Sequence, residues 1–527
     1  MAYQVEHRNK KTGVIYVYES TSVWDKEKQQ SRNKQVCIGK RDPVSGEIIP
    51  SRRLQSEKGK VSTTPSDATD DSSVATATIV GPSIILDVMT DHLGLLPVLK
   101  SAFPDNHADI LSLAYYLAAH GGPLCQSWSW LRTHQHPASG KLTSQRISEL
   151  LATITTARKQ AFFSRWMDKI LDDDYLCYDI TSVSSYSELN EYIRYGHNRD
   201  LEKLPQLNLA MLFGQESRLP TYYNRTPGNI TDVQTIHNIL ETFKKLEVKT
   251  LHFILDKGFY SKKNIEEMMA QRHHFTISVP LHNQWVQKEI DAIHERIQDP
   301  EYYRMMDDEA LYVHSQLYPW GDERRRCYLH LFYNDLIRSE AVNRFNLQLQ
   351  QYMEELESGK LKTEHQEMYD RYFTITSTPV RGKQIAFKTE AIHNYIKRYA
   401  GFQALLTTKI KDPIKTLQVY RDKDVVEKSF DDLKNVLDMK RLRMHGIETV
   451  DGRLFIQFIA LLLLSILRRE MRKTKLITMY TVRELLLEMD PLTRIEYTGK
   501  YGKIMTEVTK SQRDILKLLE ISLPELT

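Results

Sequence analysis

The chain has 527 residues, of which 41% are hydrophobic and 27% are charged. These proportions exclude an intrinsically disordered chain, and the length favours about three or four structural units over a single core. The formal net charge of +4 is close to balance, so the total charge says little about nucleic-acid binding. The four cysteines are scattered without metal-ligand spacing, and the N-terminus has no apolar signal segment, which together indicate a cytoplasmic protein.

The first part of the chain divides into three regions. Residues 1–55 alternate apolar and polar side chains around turn signals, which predicts a small N-terminal β unit. Residues 56–78 are rich in Ser, Thr and Asp and offer little to bury, so we expect a flexible linker. Residues 81–171 have the apolar period of several short helices.

One of these helices has features of DNA recognition. It follows the cap signal Leu142-Thr143-Ser144 and carries Gln145 and Arg146 on its first turn, where a recognition helix places its base-reading side chains. The region 81–171 is therefore a candidate DNA-end-binding domain. A plain helical bundle explains the same pattern and stays open as an alternative.

The pattern changes to mixed α/β after residue 171. Residues 172–282 read as three strands, a helix, a strand, a helix and a strand, and the helical crossovers imply parallel pairing of the later strands. Residues 283–400 contain strand-like segments and one long helix, Glu340–Glu357. Residues 401–470 return with a strand, and their apolar run Phe455–Leu467 is too short to span a bilayer, so we expect a buried helix there. Residues 471–527 read as a C-terminal helical region for dimerisation or DNA contact.

Three carboxylates stand out by their positions. Asp179 lies inside the first strand, Asp256 ends the fourth strand, and Glu427 lies on the helix after the insertion. A lone aspartate at a strand end is more often a cap or a turn former. Together, in this topology, the three predict one cluster of oxygen ligands, which suits Mg²⁺ or Mn²⁺. Two such ions can clamp the attacking and leaving oxygens of a phosphodiester substrate.

The helix that carries Glu427 presents charge on one face. Tyr420, Lys423, Glu427, Phe430 and Lys434 follow one another at intervals of three and four residues. A basic tail with Lys440, Arg441 and Arg443 follows. A surface helix laced with ion pairs is the alternative interpretation of this pattern.

Three segments together resemble the signature regions of DDE transposases of bacterial insertion sequences. They are YDITS (178–182), LDKGFYS (255–261) and the spaced set Tyr420, Lys423, Glu427 and Lys434. The subgroup resembled has a Tyr-Arg-Glu-Lys signature. In this chain Lys423 replaces the signature arginine; a lysine keeps the positive charge but loses the two-pronged donor geometry.

The resemblance implies an α/β fold with a ribonuclease-H-like catalytic core, formed by residues 172–282 and 401–470. A β-rich insertion domain would occupy residues 283–400. It also implies two Mg²⁺ or Mn²⁺ ions on Asp179, Asp256 and Glu427, which would be the catalytic residues. Water would cut the element's end, and the freed 3′-hydroxyl would attack target DNA.

The same resemblance implies the partners. They would be double-stranded DNA, as terminal inverted repeats and as target, and a second copy of the chain in a synaptic homodimer. The protein would be nucleoid-associated in a bacterial cytoplasm, with no membrane. Tyr420, Lys423 and Lys434 would contact the phosphates of the element's end, with Lys440, Arg441 and Arg443 as further DNA contacts. Trp320 and Trp285 are candidates for stacking on a flipped base, although core packing explains a tryptophan equally well.

Two other functions remain open. The chain could be a transposase-derived DNA-binding protein that has lost catalysis, but all three carboxylates are present. It could also be a ribonuclease-H-like nuclease that only hydrolyses. The helical region, the large insertion and the basic tail fit the binding of defined DNA ends better than unspecific cutting.

Overall fold

The structure is a computed structural model, and it divides the chain into two compact units, residues 1–73 and residues 74–527. It describes residues 2–8, 14–25, 30–42, 48–50, 75–171, 174–186, 190–378, 382–437, 439–442, 446–497 and 502–523.

The N-terminal unit is a four-stranded antiparallel sheet, as its alternating sequence predicts. Its strands, in spatial as well as chain order, are β1 (Ala2–Arg8), β2 (Ile15–Asp25), β3 (Gln30–Arg41) and β4 (Ile48–Pro50).

Most of the predicted linker lies outside the described residues, but its last residues do not. They belong to β5 (Ala75–Ile79), which pairs antiparallel with β18 (Thr493–Tyr497). The predicted linker, residues 56–78, therefore runs too far at its C-terminal end. Small and β-branched residues in ATATI can join a sheet edge even without a large apolar side chain.

The helical region has the short helices that its sequence predicts. They are α1 (Gly81–Leu93), α2 (Leu95–Ala102), α3 (His107–Ala119), α4 (Ser127–Leu131), α5 (Ser144–Thr153) and α6 (Thr156–Ile170). Thr143 caps α5 as predicted, because its side-chain oxygen accepts a hydrogen bond from the Arg146 N–H at 3.4 Å.

Residues 174–279 form one half of the large sheet, with β8 at its edge, and their elements follow the predicted order. The elements are β6 (Tyr175–Ser185), β7 (Gln206–Gly214), β8 (Pro220–Pro227), α7 (Asp232–Lys245), β9 (His252–Leu255), α8 (Lys262–Ala270) and β10 (His274–Val279). β6, β7 and β8 pair antiparallel, whereas β9 lies parallel to β6 and β10 lies parallel to β9. The prediction of parallel pairing after the helical crossovers is therefore confirmed.

The insertion region is partly built into this sheet. Its elements are α9 (Gln284–Asp291), β11 (Tyr303–Met306), β12 (Glu309–Trp320), β13 (Arg325–Tyr333), α10 (Asp335–Ser358), α11 (Gln366–Tyr372), β14 (Phe373–Thr378), β15 (Gly382–Phe387) and α12 (Thr389–Asn394). β16 (Phe402–Thr407) pairs antiparallel with both β10 and β13, so β11–β13 extend the central sheet. α10, α11, β14, β15 and α12 pack around a small second core that includes Phe345, Leu356 and Tyr369, whereas α9 packs on the main core through Val286 and Ile290.

The C-terminal part contains strands as well as the predicted helices. Its elements are α13 (Pro413–Arg421), α14 (Asp424–Asp431), β17 (Arg441–Leu442), α15 (Ile447–Lys473), α16 (Val482–Met489), β18, β19 (Lys503–Met505) and α17 (Lys510–Leu518). The purely helical prediction for residues 471–527 is therefore wrong, because β18 and β19 form a sheet with β5.

The long helix α15 lies at the centre of the core of residues 74–527. The ring of Phe455 lies 5.1 Å from the rings of both Phe103 and Phe162, and Phe458 lies 5.3 Å from Phe163 and from Tyr223. Within the described residues, Glu448–Lys473 is long and apolar enough to cross a membrane, as is the bent pair α1–α2 if taken as one span. The apolar window of Glu448–Lys473 is entirely buried inside the protein, as expected for the predicted buried helix.

Candidate functional site

Two aspartates meet at the middle of the large sheet. In the parallel pair β6–β9, Tyr178 is opposite Leu255, so the next residues, Asp179 and Asp256, lie side by side. β6 is buried along almost its whole length, and it has a neighbouring strand on each edge. A carboxylate at this position is costly unless a cation or hydrogen bonds accompany it.

A helical segment brings three more side chains to these aspartates. The hydroxyl of Tyr420 donates a hydrogen bond to Asp256 Oδ1 at 2.7 Å. The ammonium nitrogen of Lys423 lies 3.5 Å from Glu427 Oε1. Asp412 caps the segment by accepting from the Lys415 N–H at 2.8 Å.

The segment is not the single continuous helix that its spacing predicts. α13 ends at Arg421 and α14 begins at Asp424, with a turn at Asp422 and Lys423 between them. The N–H of Lys423 donates to the Tyr420 carbonyl and the N–H of Val426 to the Lys423 carbonyl, so both bonds span three residues and tighten the backbone. The helical prediction is wrong at this point, although Tyr420, Lys423 and Glu427 still meet.

The charges of the site act on one another. Burial, with a smaller contribution from Asp256, raises the pKa of Asp179 to about 6. Burial also acts to raise the pKa of Asp256, but the hydrogen bond from Tyr420 and the charge of Lys423 outweigh it and hold that pKa below its usual value. Burial disfavours the charged form of Lys423, yet Asp256, Glu427 and Asp179 together raise its pKa. One ammonium group therefore interacts with all three carboxylates.

Asp179 and Glu427 line an open pocket of about 530 Å³, which we call the carboxylate pocket. Its other lining residues are Ile180, Thr181, Arg199, Asp200, Phe430, Asp431, Lys434, Asn435 and Lys440. The lining carries four carboxylates and three cations, so an anionic ligand would need added positive charge in the pocket.

Of the predicted DNA contacts at this rim, some already have protein partners. Lys434 lies 2.7 Å from both carboxylate oxygens of Asp200, and its side chain is only 11% exposed. Arg441 pairs with Glu202 at 2.8 Å. Lys440 is exposed. The predicted contact Arg443 lies outside the described residues.

Sequence reasoning missed Arg199 at this site. Its charge acts to lower the pKa of Asp179, and it forms an ion pair with Asp232. Asn198 orders the loop, because its side-chain oxygen accepts from the Asp200 N–H at 2.9 Å. The only sequence signal was the polar run HNRD after the first strand, which has no periodicity to place it.

The remaining predicted site residues lie elsewhere. Gln145 and Arg146 are exposed on the first turn of α5. Trp320 is 6% exposed and its ring lies 5.5 Å from that of Trp285, whose indole N–H donates to the Tyr260 hydroxyl at 2.8 Å. Base stacking stays a prediction, and Trp320 would have to leave this packed position to perform it.

The donor set of the site suits a hard divalent cation, because it is made of carboxylate oxygens. Among the described residues, however, no three His, Cys, Asp or Glu side chains lie close enough to hold a metal ion. The Glu427 side chain is 58% exposed, so it has room to turn toward the two aspartates.

Comparisons with known proteins bear on this geometry. Residues 171–463 match the model of the family described as Transposase DDE domain. A comparison with curated proteins gives no match. Among solved structures, the chain is similar to one described as the cryo-EM structure of piggyBac transposase synaptic complex with hairpin DNA. The identity is 10%, the match covers 77% of this chain and 71% of that chain, and the TM-score of 0.35 is too low to assign a fold.

Proposed function

Because the chain belongs to the DDE transposase domain family, whose model covers more than half of its residues, we propose that it cuts and joins DNA strands through Asp179, Asp256 and Glu427. The observation that carries this proposal is that Asp179 on β6 lies beside Asp256, the residue that directly follows β9. Lys423 lies beside them and interacts electrostatically with all three carboxylates.

The sheet supports the finer assignment to a ribonuclease-H-like core. Its central strands lie in the order β8-β7-β6-β9-β10, with antiparallel pairing among the first three and parallel pairing after them. Asp179 lies on the third strand of that order, and Asp256 directly follows the fourth. Glu427 lies on a helix that follows the insertion, as the resemblance to transposases of bacterial insertion sequences implies.

We infer that Asp179, Asp256 and Glu427 hold two Mg²⁺ or Mn²⁺ ions when DNA is bound. Such ions would supply positive charge to the phosphoryl oxygens and lower the cost of charge that develops in the transition state. The raised pKa of Asp179 fits a site that is short of cations, because an added cation would favour the ionised carboxylate.

The residues of the chain itself would position the DNA strand. The rim cations Lys440 and Arg199 can neutralise phosphates on either side of the bond to be cut. Tyr420 holds Asp256 in the ionised form by its hydrogen bond. Lys434 keeps Asp200 in place, and it can bind a phosphate only by exchanging that partner.

The test is strand cleavage and joining on DNA that contains the gene with its genomic flanks, in Mg²⁺. We expect Asp179→Asn, Asp256→Asn and Glu427→Gln each to lower both rates by at least about a thousandfold, because each removes an anionic oxygen. DNA affinity should stay within about threefold, because the phosphate-binding cations are retained. Glu301→Gln, an exposed surface change, is the matched control and should leave both rates unaltered.

Other outcomes would redirect the proposal. Wild-type-like cleavage by any of the three variants would remove that residue from the site. Cleavage without joining by the wild type would indicate a nuclease. Tight binding with no cleavage would indicate a DNA-binding protein that has lost catalysis.

A further inference from the structure

A second group of cations surrounds a separate pocket, which we call the arginine pocket. Its basic lining residues are Arg218, Lys428, Arg468, Arg469 and Arg472. They come from three places in the chain: the turn before β8, the helix α14 and the last turns of α15. Phe213, Val425, Ser429 and Ser465 complete the lining.

Only some of these cations have acidic partners. Arg468 pairs with Asp432, and Arg469 lies 3.3 Å from Glu470. Within the part of the chain that the structure describes, Arg218, Lys428 and Arg472 form no ion pair. Burial and the charges of Arg218 and Arg468 lower the pKa of Arg472. Like charges brought together in this way are stabilised when an anion binds between them.

The backbone holds Arg218 toward the pocket in an unusual conformation. Its φ angle is +58°, a region that non-glycine residues seldom adopt. The preceding turn is fixed by Asp174, which accepts hydrogen bonds from the Glu216 N–H at 2.9 Å and the Ser217 N–H at 3.1 Å.

The two pockets share one helix. Val425, Lys428 and Ser429 of α14 line the arginine pocket, at the spacing of one helical face. Glu427 and Phe430 of the same helix line the carboxylate pocket. An anion in the arginine pocket would thus lie on the far side of the helix that carries Glu427.

We propose that the arginine pocket binds a backbone phosphate of duplex DNA, as a second DNA contact separate from the carboxylate pocket. This inference rests on the proposed function, because it takes DNA as the ligand. A guanidinium fork matches phosphate oxygens in geometry, and three cations without acidic partners supply the charge. Of these three cations, Arg218 and Arg472 contribute most because they carry the guanidinium fork, whereas Lys428 offers a single ammonium.

The experiment measures affinity for a labelled 30-base-pair duplex of random sequence against salt concentration in EDTA, so that no cleavage occurs. The double variant Arg218→Gln with Arg472→Gln keeps the side-chain stems. We expect it to bind at least about tenfold more weakly at low salt, and the slope of log affinity on log salt to fall by about two. Arg218→Lys with Arg472→Lys should keep most of the slope.

Three controls make the result specific. Lys473→Ala removes one charge from the same helix, but Lys473 already pairs with Glu470 at 2.8 Å and does not line the pocket, so the slope should stay near that of the wild type. Glu427→Gln should abolish cleavage in Mg²⁺ but leave the salt slope of DNA binding in EDTA unaltered. Failure of the proposed function can thus be distinguished from failure of this inference. Inorganic phosphate should raise the melting temperature of the wild type more than that of the double variant.

A double variant with the wild-type slope would overturn the proposal. A double variant that loses only the response to inorganic phosphate would also overturn it, because the pocket would then take a free anion and not DNA.

Discussion

Lys423 interacts electrostatically with all three carboxylates of the site, Asp179, Asp256 and Glu427. Its ammonium raises the acidity of Asp256 and lies 3.5 Å from Glu427. In the resembled subgroup this position is an arginine, whose planar fork favours two-pronged contacts. A lysine offers a compact charge that can stay among the carboxylates in the absence of DNA and turn to a phosphate in its presence.

Replacing Lys423 therefore tests the balance of charge. We expect Lys423→Met to lower the free energy of unfolding by about 1–2 kcal/mol in EDTA near neutral pH, because the buried carboxylates lose their shared cation. Its salt slope for DNA binding should fall by about one. Lys423→Arg should keep the wild-type free energy of unfolding and the wild-type salt slope. Chemical denaturation and titration of duplex DNA measure them, and a methionine variant equal to the wild type in both would place Lys423 outside the site.

Replacing Asp179 should change the free energy of unfolding in the opposite direction to replacing Lys423. Its pKa of about 6 in the folded protein exceeds the value of an unfolded chain, so ionisation weakens the fold as pH rises between about 4 and 6. Asp179→Asn should therefore abolish cleavage and yet raise the free energy of unfolding by about 1–3 kcal/mol near pH 7.5 in EDTA.

The stability gain should vanish below about pH 4, where the wild-type carboxyl is protonated in both states. Asp299→Asn, at a side chain that is 49% exposed, is the control and should alter stability by less than about 0.5 kcal/mol. A gain of equal size at both pH values would mean that the charge of Asp179 is not the cause.

At the scale of elements, a cluster of buried charged side chains links two helices and a strand. Asp451 of α15 pairs with Arg225 of β8 and lies 3.0 Å from the ammonium of Lys159 of α6. We expect Asp451→Asn to cost about 3–5 kcal/mol in thermal or chemical unfolding, because two largely buried cations would lose their counter-charge. Glu301→Gln, in an exposed pair with Arg296, should cost less than about 1 kcal/mol. Equal losses of unfolding free energy in the two variants would mean that water reaches Arg225 and Lys159.

The contact between α5 and α15 depends on a glycine. A Cβ atom on Gly452 would lie 2.4 Å from the backbone oxygen of Leu151, which cannot rotate away. Alanine favours a helix by about 1 kcal/mol over glycine, but this overlap should outweigh that gain and give a net loss of about 1–3 kcal/mol for Gly452→Ala. Gly140→Ala meets only the end of Arg146 at 3.5 Å and should be nearly neutral. A stabilised Gly452→Ala protein would show that the helices can separate freely.

At the scale of the whole molecule, the boundary between the two units can be located by truncation. Removal of residues 1–73 should leave residues 74–527 folded, with one cooperative unfolding transition. Removal of residues 1–79 should lower the melting temperature further, because it deletes β5 and its pairing with Thr493–Tyr497. Scanning calorimetry compares the two. Equal melting temperatures would mean that β5 contributes nothing to the fold.

Much of this molecule could be predicted from local patterns. The order of strands and helices from Tyr175 to Val279 follows from period and turn signals, and the cap at Thr143 follows from a single side chain. Asp179, Asp256 and Glu427 were found because a charge within or just after an apolar strand, or within a spaced motif, is visible in sequence. The charged pattern around Lys423 did not reveal the turn at Asp422, because no glycine or proline marks it.

The sequence by itself determined the order of elements from Tyr175 to Val279 and the three segments that resemble the family's signature, since each of these depends on side chains that are near one another in the chain. Only the tertiary structure decided which distant residues meet. Strands β11–β13 extend the central sheet, and Lys434 forms an ion pair with Asp200. Arg218 and Arg472, about 250 positions apart in sequence, line the same pocket. These contacts are set by long-range packing and by the sum of charges in space, and neither leaves a periodic signal in the chain.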